Sequence, residues 1–285
     1  MRFFCGITIY HPSDSDIVYI SELSRVFEQV IVFDNTEGCI SNLNKTILDD
    51  SNVLILSNGK NDGLSFAFNE ICFYFYNGLD EVRNSYVCIF DQDSRIPQLS
   101  IKNLMSVISR QKHNDVAIYA PRVAYGDSII DCKPEVTEAE WVISSGSFLN
   151  LELFKDIGPF DENYFIDRLD YDYCYEARKQ GFKVKVIEST VLRQKLGEPK
   201  ALFGIEYSEH NSIRNYYMAR NRVYFYLKNK EHFSFLYLRI AISSLKQLVK
   251  VIIFDSEKMK KVQYILKGSW DGMNARMGKL ITEVV

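Results

Sequence analysis

Short apolar runs alternate with stretches in which apolar residues recur every three or four positions, and this alternation governs the first half of the chain. The runs at residues 3–10, 30–33, 53–56, 86–90 and 116–119 have the length and β-branched or aromatic content of buried strands. Between the first two, Ile20, Leu23, Val26, Phe27 and Val30 recur at helical spacing, and between the third and fourth, Leu64, Ala67, Phe68, Ile71 and Phe75 do so more clearly. The order is βαβαβ, which predicts an α/β fold with a parallel sheet flanked by helices. Each strand ends in a polar cluster: Tyr10 and His11; Asp34, Asn35 and Thr36; Ser57 and Asn58; and Asp91, Gln92, Asp93 and Ser94. In an open sheet of this kind the carboxyl ends of the strands face one crevice, so the clusters should line a single site.

The pattern changes in the second half. Residues 141–149 read as a strand, residues 182–186 alternate like a strand with one buried face, and residues 208–229 read as a helix capped by Ser208. Residues 233–254 form a long apolar stretch interrupted by Arg239, Lys246 and Lys250. Charges at the centre of a bilayer cost a few kcal/mol each, so this stretch suits an interfacial amphipathic helix or a partner-packing helix better than a membrane span. The expected organisation is one α/β domain over 1–205, in halves 1–95 and 96–205, and a C-terminal helical appendage over 206–285.

Composition refines this picture. With 47% hydrophobic residues in 285, the chain can bury a substantial core. Its net charge of -3 conceals an asymmetry: residues 220–285 hold 13 Lys and Arg against 5 Asp and Glu, so an acidic body ends in a basic tail. Basic apolar helices suggest a chain resting on an anionic membrane surface, although a solvated helical face gives the same pattern. The six cysteines are dispersed with no C-x-x-C pair, as expected of reduced, buried thiols. The first residues lack the basic flank and apolar segment of a signal peptide, which predicts a cytoplasmic protein; together with the basic apolar tail this places it peripherally on the inner face of the cell membrane. No nucleic-acid partner is expected, and the apolar tail leaves a homo-oligomer open.

Three local signals carry chemistry. At the end of the strand at 86–90, Asp91 and Asp93 are two carboxylates one residue apart, the hard oxygen ligands that Mg²⁺ or Mn²⁺ prefers beside a departing diphosphate. Aspartates also simply end strands and start turns. About 65 residues later, Gly158 and Pro159 make a turn before an aromatic segment containing Asp167. Asp170 then stands at the start of a short helix, where it could act as a general base or merely cap the helix with Asp172 solvated. On the helix near 208–229, Arg214, Tyr217 and Asn221 are neighbours at three- and four-residue spacings, with Arg220 close by. They suit phosphate and sugar, or an amphipathic face with a tyrosine-rich buried side. Trp141, Ser145 and Gly146 could form a sugar-facing strand or ordinary core.

Read in order, these segments resemble glycosyltransferase family 2 over nearly the whole chain. The strand at 3–10 resembles the family's opening strand, with Thr8 and Tyr10 at the nucleotide, and Asp34 and Asn35 resemble its base-contacting second strand. The stretch 58–63, with Asn58 and Asn61, and then Asn69 resemble its Asn/Gly loop and following helix. Asp91, Gln92 and Asp93 are similar to its metal-binding D-x-D, and Ser145 and Gly146 followed by 158–162 resemble the acceptor-side strand and the G-x-F-D-E turn. Finer features, namely 165–170, 214–221 and 266–272, resemble the rhamnosyltransferases. The resemblance implies a GT-A fold, with 1–95 as the nucleotide-sugar-binding half and 96–205 as the acceptor half, and an inverting transfer with Asp170 as base. The donor site would comprise Thr8, Tyr10, Asp34, Asn35, Asn58, Asn61, Asp91, Gln92, Arg214 and Arg220, and the acceptor side Trp141, Ser145, Gly146, Asp167 and Tyr217. Asp93 and Asp91 would hold the cation. The implied donor is dTDP-L-rhamnose and the implied acceptor a lipid-linked saccharide of a bacterial surface polysaccharide, O-antigen or capsule. UDP-galactofuranose, UDP-galactose or UDP-N-acetylglucosamine are alternative donors on the same fold. Two positions depart from the family pattern: Leu169 replaces an acidic residue before Asp170, and Gln194 stands where many members place a metal-associated histidine, with His210 as a substitute.

Two other classes compete. A nucleotidyltransferase should carry a basic, glycine-rich phosphate loop after its first strand, and residues 10–13 do not look like one. A membrane-bound saccharide-binding protein without turnover would share the fold and differ in failing to consume donor. Dehydrogenase chemistry fits least, because no G-x-G-x-x-G follows the first strand.

Overall fold

The computed structural model describes residues 1–38, 51–111, 114–125, 135–194, 198–202 and 205–281. The chain divides into two compact units: Met1–Glu162 with Leu169–Gln194, and Asn163–Arg168 with Lys195–Val285.

The first unit is built on an eight-stranded mixed sheet. Its strands are β1 (Arg2–Ile9), β2 (Val30–Asp34), β3 (Val53–Leu56), β4 (Ser85–Asp91), β5 (Val116–Tyr125), β6 (Val136–Glu138), β7 (Ser147–Asn150) and β8 (Lys183–Gln194), in the order β3-β2-β1-β4-β7-β5-β8-β6. β1, β2, β3 and β4 are parallel, with Thr8 opposite Asp91 across β1 and β4, and β7 enters antiparallel between β4 and β5. Residues 4–9 of β1 and all of β2 are buried. Strands covered on both faces read as continuous apolar runs rather than alternating ones, which is why they stand out in the sequence. The helices α1 (Asp14–Ser24), α2 (Leu64–Gly78), α3 (Gln98–Arg110), α4 (Leu151–Ile157) and α5 (Leu169–Lys179) supply that cover. The sheet's core joins Ile7, Leu23, Val32 and Phe90 to Leu104, Tyr119 and Phe148.

Residues 141–149 do not form one strand. The ladder starts only at Ser147, because Gly146 takes φ of +76° and its N–H bonds to the Ile89 carbonyl at 2.6 Å. A Cβ at Gly146 would lie 2.6 Å from Ile96 Cδ1, so only glycine fits this turn. Trp141 is therefore on the segment leading into the sheet.

In the second unit, residues read as the start of a helix at Ser208 belong to a hairpin of β9 (Glu198–Leu202) and β10 (Ile205–Glu209). The helix α6 (Ser212–Lys228) is capped by Asn211, whose side chain accepts from Arg214 N at 2.8 Å. It is followed by a 3₁₀ turn at Lys230–His232, α7 (Leu236–Phe254) and α8 (Lys258–Met273). Helices α6 and α8 cross at close range. A Cβ on Gly268 would overlap the Tyr216 carbonyl oxygen, and one on Gly272 would sit 2.5 Å from the Arg220 carbonyl oxygen. The crossing is reinforced by Tyr216 Oη donating to Asp271 at 2.8 Å. Gly268→Val is accordingly expected to push the helices apart and cost about 1–3 kcal/mol, read as a lower urea midpoint. An unchanged midpoint would mean the helices already have room.

Candidate functional site

The crevice at the carboxyl ends of β1, β2, β3 and β4 is assembled from short-range turns. Asp34 is buried and its Oδ1 accepts from Thr36 N at 2.7 Å, so this carboxylate shapes the turn after β2. Asn35 is buried beside it, donates from Nδ2 to the Gly63 carbonyl at 3.2 Å, and has no partner for Oδ1 among the described residues. Thr8, also buried, has no partner for Oγ1. Buried polar atoms without protein partners are rare, and two on adjacent strand ends mark a place where a ligand or ordered water belongs. Across the crevice, exposed Asn58 accepts from Lys60 N at 3.0 Å and donates to Asp62 at 2.6 Å, while Asn61 accepts from Gly63 N at 3.3 Å.

After β4, the loop that carries Asp91 and Asp93 is held rigidly. Gln92 accepts from Tyr10 N at 2.5 Å and donates to Asp16 at 3.0 Å, so both ends of its amide are spent on the loop. That corrects its reading as a donor ligand: it joins β1 to the loop. Tyr10 itself keeps its ring 45% exposed. Arg95 donates to Asp16 and to the carbonyls of Gln92 and Ser94. Although burial opposes it, hydrogen bonds from Ser13 and Arg95 hold the Asp16 carboxyl below its ordinary range. Neither Asp16 nor Arg95 is recognisable from sequence as part of this framework, because both lie outside the strand-end clusters. Asp91 is half-buried and donates its backbone N–H to Ser145 Oγ at 3.1 Å, whereas Asp93 is exposed and its carboxylate takes part in no hydrogen bond or ion pair among the described residues. The described residues contain no cluster of three His, Cys, Asp or Glu able to enclose a metal ion. Two hard carboxylates on one loop nevertheless fit Mg²⁺ or Mn²⁺, which commonly use one or two protein carboxylates and take their other ligands from substrate phosphates and water.

Asp170 lies in the first turn of α5, with Oδ1 accepting from Tyr171 N at 2.8 Å. It borders a small pocket together with Val142, Ile143, Ser144, Ser147 and Phe160. Ser145, on that same 142–147 segment, is the residue bonded to Asp91 N. The segment thus lines the pocket beside Asp170 at some of its residues and bonds to the Asp91 loop at another. Trp141, 48% exposed, lies against Tyr171 with ring centres 5.9 Å apart, so an aromatic surface flanks Asp170. Tyr171 is a residue that sequence reasoning missed, since only the pairing with Trp141 distinguishes it. Asp172 is buried, not solvated.

The G-x-F-D-E turn is clamped by buried Asn69 of α2. Its Nδ2 donates to the Phe160 carbonyl at 2.9 Å and to Glu162 at 2.8 Å, and its Oδ1 accepts from Phe160 N at 2.8 Å. One amide therefore fixes the turn that precedes α5.

The remaining candidates belong to the second unit. Asp167 has φ of +65° and is held by Asn221 Nδ2, which donates to the carbonyls of Ile166 at 2.6 Å and Asp167 at 2.9 Å. Burial raises the Asp167 carboxyl above its ordinary range while Arg214, 3.5 Å away, opposes this, and its Oδ2 lacks a hydrogen-bond partner. Arg220 and Tyr217 are corrections. Arg220 is 1% exposed and donates to the Gly278 carbonyl at 2.6 Å, to Asn221 Oδ1 and to the Asn163 carbonyl, with its guanidinium over Tyr217. Tyr217 is buried, stacks on Phe165 and accepts from Leu280 N at 2.7 Å. Both side chains hold the unit together and neither is presented to a ligand. His210, proposed as a substitute metal ligand, has its ring pushed down to about 4 by burial and by the cations Arg214, Lys250 and Lys261, a setting that repels a metal ion. The Gln194 side chain lies outside the described residues.

No family model matches the chain. It is 26% identical over 294 residues to the dTDP-rhamnosyl transferase RfbF of Shigella flexneri, covering 96% of both chains. It is 22% identical to the low-salt glycan biosynthesis hexosyltransferase Agl10 of Haloferax volcanii, covering 96% of this chain and 92% of that one. Among solved structures, GalNAc-T7 crystallised with UDP, GalNAc and Mn²⁺ superposes with a TM-score of 0.54 at 12% identity, over 78% of this chain. This chain spans about half the length of that protein (51%), and the likeness shows the fold. With that fold and with glycosyltransferases matching 96% of its length, the chain is a glycosyltransferase of the GT-A fold, similar to a dTDP-rhamnosyl transferase.

Proposed function

We propose that the chain transfers L-rhamnose from dTDP-L-rhamnose, with inversion, to a lipid-linked saccharide during synthesis of a bacterial surface polysaccharide, O-antigen or capsule. The observation that supports this most is the 142–147 segment, which touches both the Asp91 loop and the pocket beside Asp170. In the reaction, Asp170 accepts the proton of an acceptor hydroxyl as its oxygen bonds to the anomeric carbon; the bond from that carbon to the diphosphate breaks, and the nucleoside diphosphate leaves. Trp141 and Tyr171 offer a face on which a sugar ring can rest. Thr8 and Asn35 offer the unpartnered buried oxygens that donor hydroxyls or base N–H groups could meet. Asp91 and Asp93 would hold Mg²⁺ or Mn²⁺, which when bound supplies positive charge against the leaving diphosphate. In the second unit, Asp167 and its partner Arg214 are kept as ligand contacts on the strength of the unpartnered Asp167 Oδ2.

The test is a panel of radiolabelled donors, with and without Mn²⁺ and with chelator, followed for release of sugar or transfer to lipid extract. Metal-dependent turnover of dTDP-L-rhamnose above the UDP-sugars supports the proposal. Preference for a UDP-galactofuranose, UDP-galactose or UDP-N-acetylglucosamine donor overturns the rhamnose assignment, and binding of all donors without turnover overturns catalysis. In the same panel, Asp93→Ala is expected to remove the metal-dependent part of donor binding measured by calorimetry. A variant that binds donor as tightly with Mn²⁺ as the parent would show that the cation is held elsewhere.

A further inference from the structure

Helix α7 packs with only Gln247 and Val251 fully buried. On the opposite side, Leu238, Ile242, Leu245, Val249 and Ile252 recur at spacings of four, three, four and three residues, and all five are exposed, Leu245 at 61%. Phe235 continues this row at 80% exposure one turn earlier. Helix α8 bears a second row at the same spacing, with Leu266, Trp270 and Met273 exposed. Water-facing apolar rows this long are rare on a soluble protein and mark a contact surface. No helix among the described residues is long and apolar enough to cross a membrane, so the rows are not parts of a span.

Charge chooses the occupant. Helices α7 and α8 together carry seven Lys and Arg against one acidic residue; Lys261, paired with Glu209 and Asp255, and the acid Asp271 are buried, which leaves six cations and no carboxylate at their surface. Arg239 and Lys246, both exposed, lie along one edge of the α7 row when its positions are placed on a helical wheel, and Lys258, Lys260 and Lys267 are exposed on α8. A second copy pairing through this surface would bring cations against cations with no exposed carboxylate on either helix to answer them. A leaflet containing anionic phospholipid answers both features, taking the apolar rows at its headgroup boundary and the cations at its surface. Trp270 among the exposed residues of α8 is the side chain that settles best at such a boundary.

We infer that α7 and α8 form a monotopic docking surface for a bilayer rich in anionic phospholipid, entering by the Leu238–Ile242–Leu245–Val249–Ile252 row without crossing it. The inference does not depend on which sugar is transferred, and a lipid-linked acceptor would be met at such a surface.

The full-length protein is incubated with vesicles of phosphatidylcholine alone or mixed with phosphatidylglycerol, and bound protein is separated by sedimentation. Binding is expected to the mixed vesicles, weakened by salt. It should fall about tenfold or more in Leu245→Glu and in Ile252→Glu, and about fivefold for each of Lys258→Gln and Lys267→Gln. In a Trp141→Phe background, the Trp270 emission should shift to the blue on adding mixed vesicles. Because the substituted side chains are exposed, circular dichroism should show all variants folded, and Lys267→Gln alone keeps the proposal testable if the glutamate variants are not. Absence of binding to mixed vesicles, equal binding to both vesicle types, or a concentration-dependent dimer abolished by Leu245→Glu would each overturn it. No sugar enters this assay, so its failure leaves the transfer reaction standing, and a failed transfer assay leaves the docking surface standing.

Discussion

Asp170→Asn is expected to lower kcat by about 10²–10⁴-fold, the range that general-base help supplies, while the dissociation constant for donor stays near that of the parent. Asparagine keeps the size of the side chain and can still accept from Tyr171 N through its oxygen, so α5 should retain its first turn and the protein its melting temperature. What it loses is the capacity to take a proton. The split between turnover and binding is the informative part: a residue that only started the helix would show little change in kcat. Single-turnover measurements with saturating donor, with thermal melting as a control, provide the check, and turnover within a few-fold of the parent would remove Asp170 from the chemistry.

Arg220→Ala should act in the opposite sense, costing about 3 kcal/mol or more of stability. The side chain is among the largest that are fully enclosed in the molecule, and three of its nitrogens hold the carbonyls of Gly278 and Asn163 and the side chain of Asn221. Removing it leaves a cavity against Tyr216 and Tyr217 and strands those acceptors. A lower denaturant midpoint is therefore expected, with donor affinity per folded molecule unchanged. A variant as stable as the parent but weakened in donor binding would restore Arg220 to the ligand site.

These two residues also show how far the sequence could be read. The parallel strands β1, β2 and β4 were legible because burial on both faces leaves an unbroken apolar run, and the clusters at Asp34 and Asp91 were legible because strand ends are where apolar runs stop. Asp170 was placed correctly in the first turn of α5 by the Gly158–Pro159 turn before it. Arg220 and Tyr217 were misread because helical spacing tells which residues are neighbours along one helix and not which face a distant helix will cover. The covering elements, α8 with Gly268 and Gly272 and the chain near Gly278, lie about 50 to 60 residues downstream. Trp141 was assigned to a strand because the apolar residues 141–143 and 148–149 read as one run, whereas the left-handed backbone of Gly146 delays the ladder until Ser147. The hairpin of β9 and β10 was missed because β9 contains Pro199 and does not alternate while Ser208 of β10 reads as a helix cap, and Tyr171, Asp16 and Arg95 were missed because their roles depend on side chains far away in sequence.

The amide of Asn69 has a mechanical consequence. It ties α2, in the half that begins the chain, to Phe160 and Glu162 in the half that follows β7, through three hydrogen bonds made by one buried side chain. Two lobes stapled at that depth cannot part like the valves of a shell, so entry and exit of substrates through the first unit must be governed by movement at the rim of the crevice over a stationary floor.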